Sequence, residues 1–308
     1  MKLRYIKWAV AAAVLALLIF VVFRFDWWAL VHSLGRVPAQ TVVLLLVLQV
    51  ATQLLVNLQW WQVARHAKVP LSYGKMLYIN CQGTIVDAIT PGVKFGGEVT
   101  RAVRISQAGE CSHTQAASVV AVQKLFSLGA LFLVGAVYVP LLAAGFLCIC
   151  VVFVVPKHMM ALLQRKKSRF NWAAKLQAFL LEFLLHVIVM RKQPLTCIRF
   201  FALAAIIWLI YPLKMYILTA QVAPCVGLIR AGGVAIVSYM VAMIPVFPGG
   251  LGGFEGAMTG LLVYEGVYAP DAFAVAVLFR AVTFWFVVGV SVVGVAYLSL
   301  QAKRSNPE

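Results

Sequence analysis

Six stretches of the chain, residues 6–25, 41–64, 115–138, 139–156, 198–220 and 272–300, run almost unbroken in apolar side chains. Each is close to the ~20 residues an α-helix needs to cross a bilayer. Trp27, Trp28, Trp60 and Trp61 fall near the ends of such stretches, where indole rings favour the membrane interface. Three further apolar stretches, 76–90, 232–247 and 256–268, are short for a crossing. They abut two breaks, PGVKFGGE at 91–98 and PGGLGGFE at 248–255, which share the pattern P-G-x-x-x-G-x-E. Proline ends one short helix and glycines let the chain turn back, so each break with its flanks reads as a re-entrant hairpin. Irregular backbone at membrane depth is tolerated only when buried in protein or lining a wet cavity. The expected fold is all-α: a polytopic helical membrane protein with about six full spans plus two Gly/Pro-broken re-entrant hairpins.

Composition agrees with the pattern. Of 308 residues, 63% are hydrophobic and 11% charged, and mean hydropathy is +0.96. A soluble domain is about half apolar and a quarter charged, so this is an integral membrane protein. The run Ile6–Phe23 has no small-residue cleavage site before Arg24 and reads as a retained first helix.

The net charge of +17 is gathered in short segments beside the spans. That is the placement of cytoplasmic loops facing an anionic membrane surface, not of a nucleic-acid binder. With the amino terminus inside, residues 65–75, 101–113, 157–197 and 301–308 are also cytoplasmic. Of the 26 Lys and Arg, only Arg24, Arg36 and Arg230 then fall outside. Lys94, Lys124, Lys214 and Arg280 lie within the membrane or at its edges. The expectation is a plasma (inner) membrane protein with both termini cytoplasmic.

The same topology sends the two hairpins in from opposite faces. It divides one membrane domain into a first half, 1–156, with its motif at 76–112, and a second half, 198–308, with its motif at 232–268. Such halves form an inverted repeat, the arrangement that marks a transporter site. The intervening 157–197 carries KHMMALLQRKKSRFNWAAK and then Leu176, Phe179, Leu180, Phe183, Leu184, Val187 and Ile188 at helical spacing. Lys175, Glu182 and His186 share another side, so an amphipathic helix on the cytoplasmic surface is expected. A further span at 172–190 is the alternative.

Six cysteines form no C-x-x-C pair and no Cys/His ligand spacing. No nucleotide-binding P-loop is present. Neither a metal nor another cofactor is indicated.

The chemistry that remains is carried by charges inside apolar surroundings. Glu98 and Glu255 close the two motifs. Each can cap the second half-helix of its hairpin, whose free N–H groups favour a carboxylate. Each can also meet a cationic headgroup or an arginine, because intramembrane acids are costly and serve function by default. The opposed hairpins would bring these two acids near each other at mid-membrane. Arg101 and Arg104 follow Glu98 on one helical face and suit lipid phosphate, or are ordinary boundary arginines. Arg280 lies well inside the last span and needs a partner, Glu255 or a lipid phosphate. Lys124 can reach the site or snorkel to the interface. Gln49, Gln53 and Asn57 recur every four residues on the second span, as helix-joining polar groups or as a cavity wall. Asp87, one turn before Pro91, fits either role. Gly97, Gly249, Gly250 and Gly252 complete the candidate substrate-binding set around the two breaks.

The runs ITPGVKFGGEVTRAVRIS, PGGLGGFEGAM and FRAVTFW resemble the lysylphosphatidylglycerol synthase transmembrane-region family, and the likeness extends over nearly the whole chain. The matching positions are Pro91, Gly92, Gly97, Glu98 and Arg101, then Pro248, Gly249, Gly250, Gly252 and Glu255, and finally Arg280, Thr283 and Trp285. The resemblance implies a flippase-like protein that moves a phospholipid or lipid-linked headgroup between leaflets. Relatives often carry E-R-x-x-D in the span after the first motif. Here Gln123, Lys124, Leu125, Phe126 and Ser127 stand there, with both acids missing and the arginine a lysine, so an ion-pair role there is not implied. The chain ends at KRSNPE, without the soluble aminoacyl-transfer domain of the synthases, and their activity is not implied either.

The leading expectation is a non-enzymatic lipid translocase. The alternative is an accessory protein that binds lipid or a lipid-synthesis enzyme without transport. A membrane transferase would want clustered acids or histidines, and no D-x-D or H-x-x-x-H group is present. Nothing in the sequence sets an oligomeric state.

Overall fold

The computed structural model describes residues 27–90, 95–165, 171–244, 250 and 252–305, and every regular element among them is helical. The expected first span, 6–25, and the Pro-Gly turns at 91–94 and 245–249 lie outside the described residues.

Long apolar helices form the frame. A short helix α1 (Trp27–Gly35), not foreseen from the sequence, precedes α2 (Ala39–His66). Later come α5 (His113–Ala136), α9 (Pro194–Val222) and a rod made of α12 (Ala269–Arg280), a π-helical turn (Ala281–Trp285) and α13 (Phe286–Ser305). The segments Ala39–His66, His113–Ala136, Pro194–Val222 and Ala269–Leu300 are each long and apolar enough to cross a membrane. Pro212 sits inside α9, and Ser72 and Ser112 cap their helices by accepting the N–H groups of Lys75 and Gln115.

The expected span 139–156 is bent. Helix α6 (Leu142–Val154) ends before Pro156, and α7 (Pro156–Arg165) leaves it at 67°. Proline lacks the N–H needed to continue the first helix and constrains the residue before it. Helix α8 (Asn171–Arg191) runs back along α7: Gln177 Nε2 donates to the Leu163 carbonyl at 2.6 Å, and Arg191 Nη1 to the Val154 carbonyl at 2.8 Å. That hairpin diverges from the axis of α6, and α8 buries Leu184, Val187 and Met190. His186, expected on the polar side, instead turns inward, with Nδ1 at 3.1 Å from Ser118 Oγ on α5.

Two helical hairpins fill the frame. The first joins α3 (Tyr73–Ile89) to α4 (Phe95–Ala108), and the second joins α10 (Leu228–Ala242) to α11 (Gly253–Tyr264). At 1.5 Å per residue these helices are about 18 to 26 Å long, short of the ~30 Å hydrocarbon core.

The hairpins pack against opposite ends of the same long helices. One apolar core gathers Met76, Ile79 and Ile105 of the first hairpin with Trp60 and Val63 from the end of α2 and Phe200 from the start of α9. The other gathers Val234, Phe254 and Met258 of the second hairpin with Leu45 from the start of α2 and Leu218 from the end of α9. Two of the three arginines expected outside are ion-paired at the second hairpin's end of the molecule: Arg36 with Asp271, and Arg230 with Glu265.

Candidate functional site

The first hairpin owes its close approach to Gly97. A Cβ built there would enter the Asp87 carboxylate, so only glycine admits this spacing of α3 and α4. Asp87 Oδ1 accepts the Gly97 N–H at 2.9 Å. One free N–H at the start of α4, that of Gly97, is thus met by Asp87 across the hairpin, a contact of the kind the sequence had offered to Glu98.

Arg101, one turn after Glu98, is the fixed point of the cluster. Only 7% exposed, it donates from Nη1 to Asp87 Oδ2 at 3.1 Å and Glu98 Oε1 at 3.3 Å, and from Nε to Asn80 Oδ1 at 3.3 Å. Its guanidinium lies 5.5 Å from the Trp60 ring centroid. Asn80 in turn donates to Asn57 Oδ1 at 2.8 Å, and Asn57 to the Tyr73 carbonyl at 3.2 Å. A Cβ at Gly83 would strike the Arg101 side chain, so this glycine gives the guanidinium its room. Buried charge is tolerable here because paired carboxylates and hydrogen bonds surround it.

Glu98 has a different character. Oε1 is shared between Arg101 and Lys124, whose Nζ comes within 2.6 Å from α5, while the buried Oε2 has no hydrogen-bond partner among the described residues. The Lys124 side chain is 35% exposed, so it can swing away while Arg101 cannot. Lys124 thus joins the site rather than simply snorkelling outward, and it has the ion-pair role that the missing acids of its own run did not imply, because Glu98 of the neighbouring helix supplies the carboxylate. Arg104 is exposed and bonds Gln107 Oε1 at 3.2 Å, apart from the cluster, as a boundary arginine would.

The second hairpin builds a closed counterpart. Gly250 and Gly252 adopt φ of +70° and +81°, backbone that L side chains rarely enter. Glu255 Oε2 accepts the Gly252 N–H at 2.8 Å, which is its helix-capping role, and Oε1 lies 3.3 Å from Arg280 Nε. The expected Arg280–Glu255 pair is present. Its guanidinium carbon lies 4.8 Å and 4.2 Å from the ring centroids of Phe254 and Phe284. The π-helical turn starts at the next residue, a distortion frequent at functional sites. Thr283 donates to the Phe279 carbonyl at 2.8 Å, and Trp285 is half exposed. Gly249 lies outside the described residues.

Glu98 and Glu255 occupy separate clusters and share no cation in the ion pairs of the described residues. Between α3 and α13 the register is antiparallel: Tyr78 lies opposite Ser299, with oxygens 3.2 Å apart, and Cys81 faces Gly294.

Two residues were underweighted in the sequence. Asp87 is the anchor of the first cluster, as described above. Lys214 is fully buried in α9, donates to Gln49 Oε1 and to Thr52 Oγ1 of α2, and lies 4.3 Å from the Tyr211 ring centroid. The polar stripe on α2 thus joins helices, Gln49 to α9 and Asn57 to α3. The visible signal was a lysine in an apolar span with a Gln stripe elsewhere, which identifies no partner by itself.

Short hairpins at opposite ends of shared spans, each ending in a Gly-Glu helix start with a buried arginine, define a helical membrane protein of a recognisable class. Residues 6–291 match the family of the lysylphosphatidylglycerol synthase transmembrane region, and the chain belongs to that family. It is also similar to a UPF0104 membrane protein of Methanothermobacter thermautotrophicus, 23% identical over 295 residues that cover 86% of this chain and 87% of the relative.

Proposed function

We propose that this protein moves a phospholipid, or a lipid-linked headgroup, from one leaflet to the other without altering it chemically. The headgroup passes the Asp87–Glu98–Arg101–Lys124 cluster while the acyl chains stay in the bilayer. One observation carries this: four mutually paired ionisable side chains sit on and beside a hairpin too short to span, with one carboxylate oxygen and one ammonium left able to exchange partners. Polar groups of this kind at membrane depth lie at the substrate sites of transporters built from broken helices. The family's own description, the membrane region of a lipid-modifying synthase, agrees with a lipid as cargo. The plasma membrane, with both termini cytoplasmic, is the setting that the lysine and arginine distribution favours.

The test is reconstitution into liposomes with a fluorescent phospholipid whose inner and outer pools are told apart by a membrane-impermeant quencher. The intact protein speeds exchange between the pools, and Glu98→Gln slows it at least about tenfold. Equal rates for the two proteins would defeat the proposal.

A second reading, a lipid- or enzyme-binding accessory protein, is favoured by the basic residues Lys166, Lys167 and Arg169 in the sequence between α7 and α8. Neutralising those three residues leaves lipid movement intact under the first reading and abolishes cellular function under the second.

A further inference from the structure

Helix α6 marks the level at which the apolar surroundings of the molecule end. It packs antiparallel along α5, with Gly145 against Phe132 and Ile149 against Gly129. Its other side exposes Leu147, Val151 and Val154, a stripe at helical spacing that faces lipid in a membrane protein. The stripe stops at the bend. There the exposed Arg191 donates to the Val154 carbonyl at 2.8 Å, and the exposed Lys192 follows it. Just past Pro156 come Lys157 and His158, both exposed. Charges are costly in hydrocarbon, so the headgroup layer begins at this level. Helix α7 starts there and departs at 67° from α6, more along the membrane plane than across it.

The faces of α7 suit that position. Met160 and Leu163 are half-buried, Met159 and Leu162 one turn apart are exposed, and Lys157, His158 and Gln164 take the remaining side. From 156 to 181 the sequence has six Lys or Arg and no Asp or Glu. The surface helix expected from the sequence was α8, but that helix commits Leu184, Val187 and Met190 to the protein interior. The open amphipathic edge is therefore that of α7. Two apolar side chains are too little area for a stable protein interface, yet they are what an interfacial helix inserts beside its cations. We infer that α7 docks on the anionic phospholipid headgroups of the leaflet at the first hairpin's end of the molecule. Met159 and Leu162 seat at the boundary of headgroups and acyl chains, and the basic run meets the phosphates. The docking rests on neither functional reading above and holds whether or not the protein moves lipid.

The experiment places the full chain in nanodiscs of phosphatidylcholine alone, and of phosphatidylcholine with one-third phosphatidylglycerol, and follows amide hydrogen exchange by mass spectrometry. Exchange in 157–164 slows at least about fivefold in the anionic discs, the factor that one basic residue's attraction to such a surface supplies. The stretch 184–190, inside the protein, exchanges alike in both. Raised salt weakens the difference, as screening requires. The combined variant Lys157→Gln, Arg165→Gln, Lys166→Gln, Lys167→Gln and Arg169→Gln abolishes it. Leu162→Gln, at an exposed position that the fold does not need, reduces it while every basic residue remains. Equal exchange of 157–164 in the two bilayers would overturn the inference and leave the basic run to an acidic protein partner. A difference that survives loss of the five basic residues, that Leu162→Gln leaves untouched, or that extends equally to 184–190 would overturn it too.

Discussion

Replacing Asp87 by alanine removes the anchor of the first hairpin, and its consequences can be worked out from the contacts. Arg101, 7% exposed, loses its shortest ion pair, 3.1 Å, and keeps Glu98 and Asn80 at 3.3 Å each. The Gly97 N–H loses its acceptor at the start of α4. Stranding one member of a buried pair costs about 3–5 kcal/mol, and the remaining partners of Arg101 place the loss near the lower end. The orphaned N–H adds to it, at about 1–3 kcal/mol for an unmet buried donor. For a chain of this size each kcal/mol is worth about 2–4 °C, so the apparent unfolding temperature falls by about 10 °C. Asp87→Asn keeps an oxygen for Gly97 but not the charge, and falls about half as far. Glu98→Gln leaves the Asp87–Arg101 pair in place and shifts unfolding by only a few degrees. The assay is thermal unfolding in detergent, followed by tryptophan fluorescence. If Asp87→Ala unfolds within about 2 °C of the intact protein, or less readily disturbed than Glu98→Gln, the assignment of anchor and ligand group is wrong.

Gly97→Ala forces a methyl group into the Asp87 carboxylate, so it destabilises by several degrees, and the Gly97→Ala/Asp87→Ala double variant is no worse than the poorer single one. Lys214→Ala empties a fully buried site and leaves Gln49 Oε1 without its donor; about 2–4 kcal/mol of stability is lost, read as a lower unfolding temperature. Cysteine labelling tests the topology: Cys225, exposed between α9 and α10, reacts with an impermeant maleimide added outside cells. Burial pushes the Cys111 thiol up, so less thiolate exists at neutral pH, and its labelling in the detergent-solubilised protein is slow and accelerates as pH rises.

Much of the architecture was legible because a bilayer imposes length on helices. Segments 41–64, 115–138, 198–220 and 272–300 reappear as α2, α5, α9 and the α12–α13 rod, within a few residues. The short segments around the two breaks reappear as hairpins because Pro-Gly stops and Gly-Glu starts are local signals. The bend at Pro156 was read over because apolar composition continues up to it, although the proline itself is a local signal. Helix α1 has no length or periodic signature that hydropathy detects. At the site, the Glu255–Arg280 pair was inferable, since a buried guanidinium needs an anion and one lay in the adjoining motif. The division of labour between Asp87 and Glu98 was not. Both acids flank the same break, and which one caps α4 depends on how closely Gly97 lets two helices approach. Lys214 escaped for a related reason: its acceptors lie 162 to 165 residues away in sequence, and only the packing of α9 on α2 brings them together.

The central claim is that lipid headgroups cross this membrane beside Glu98 and the cations that hold it. It is met most directly by liposome exchange rates for the intact protein and for Glu98→Gln, both shown to be folded by their unfolding temperatures. Rapid exchange that collapses at least about tenfold in the variant is the result expected. Exchange no faster than in protein-free vesicles, or equally fast in both proteins, would contradict it.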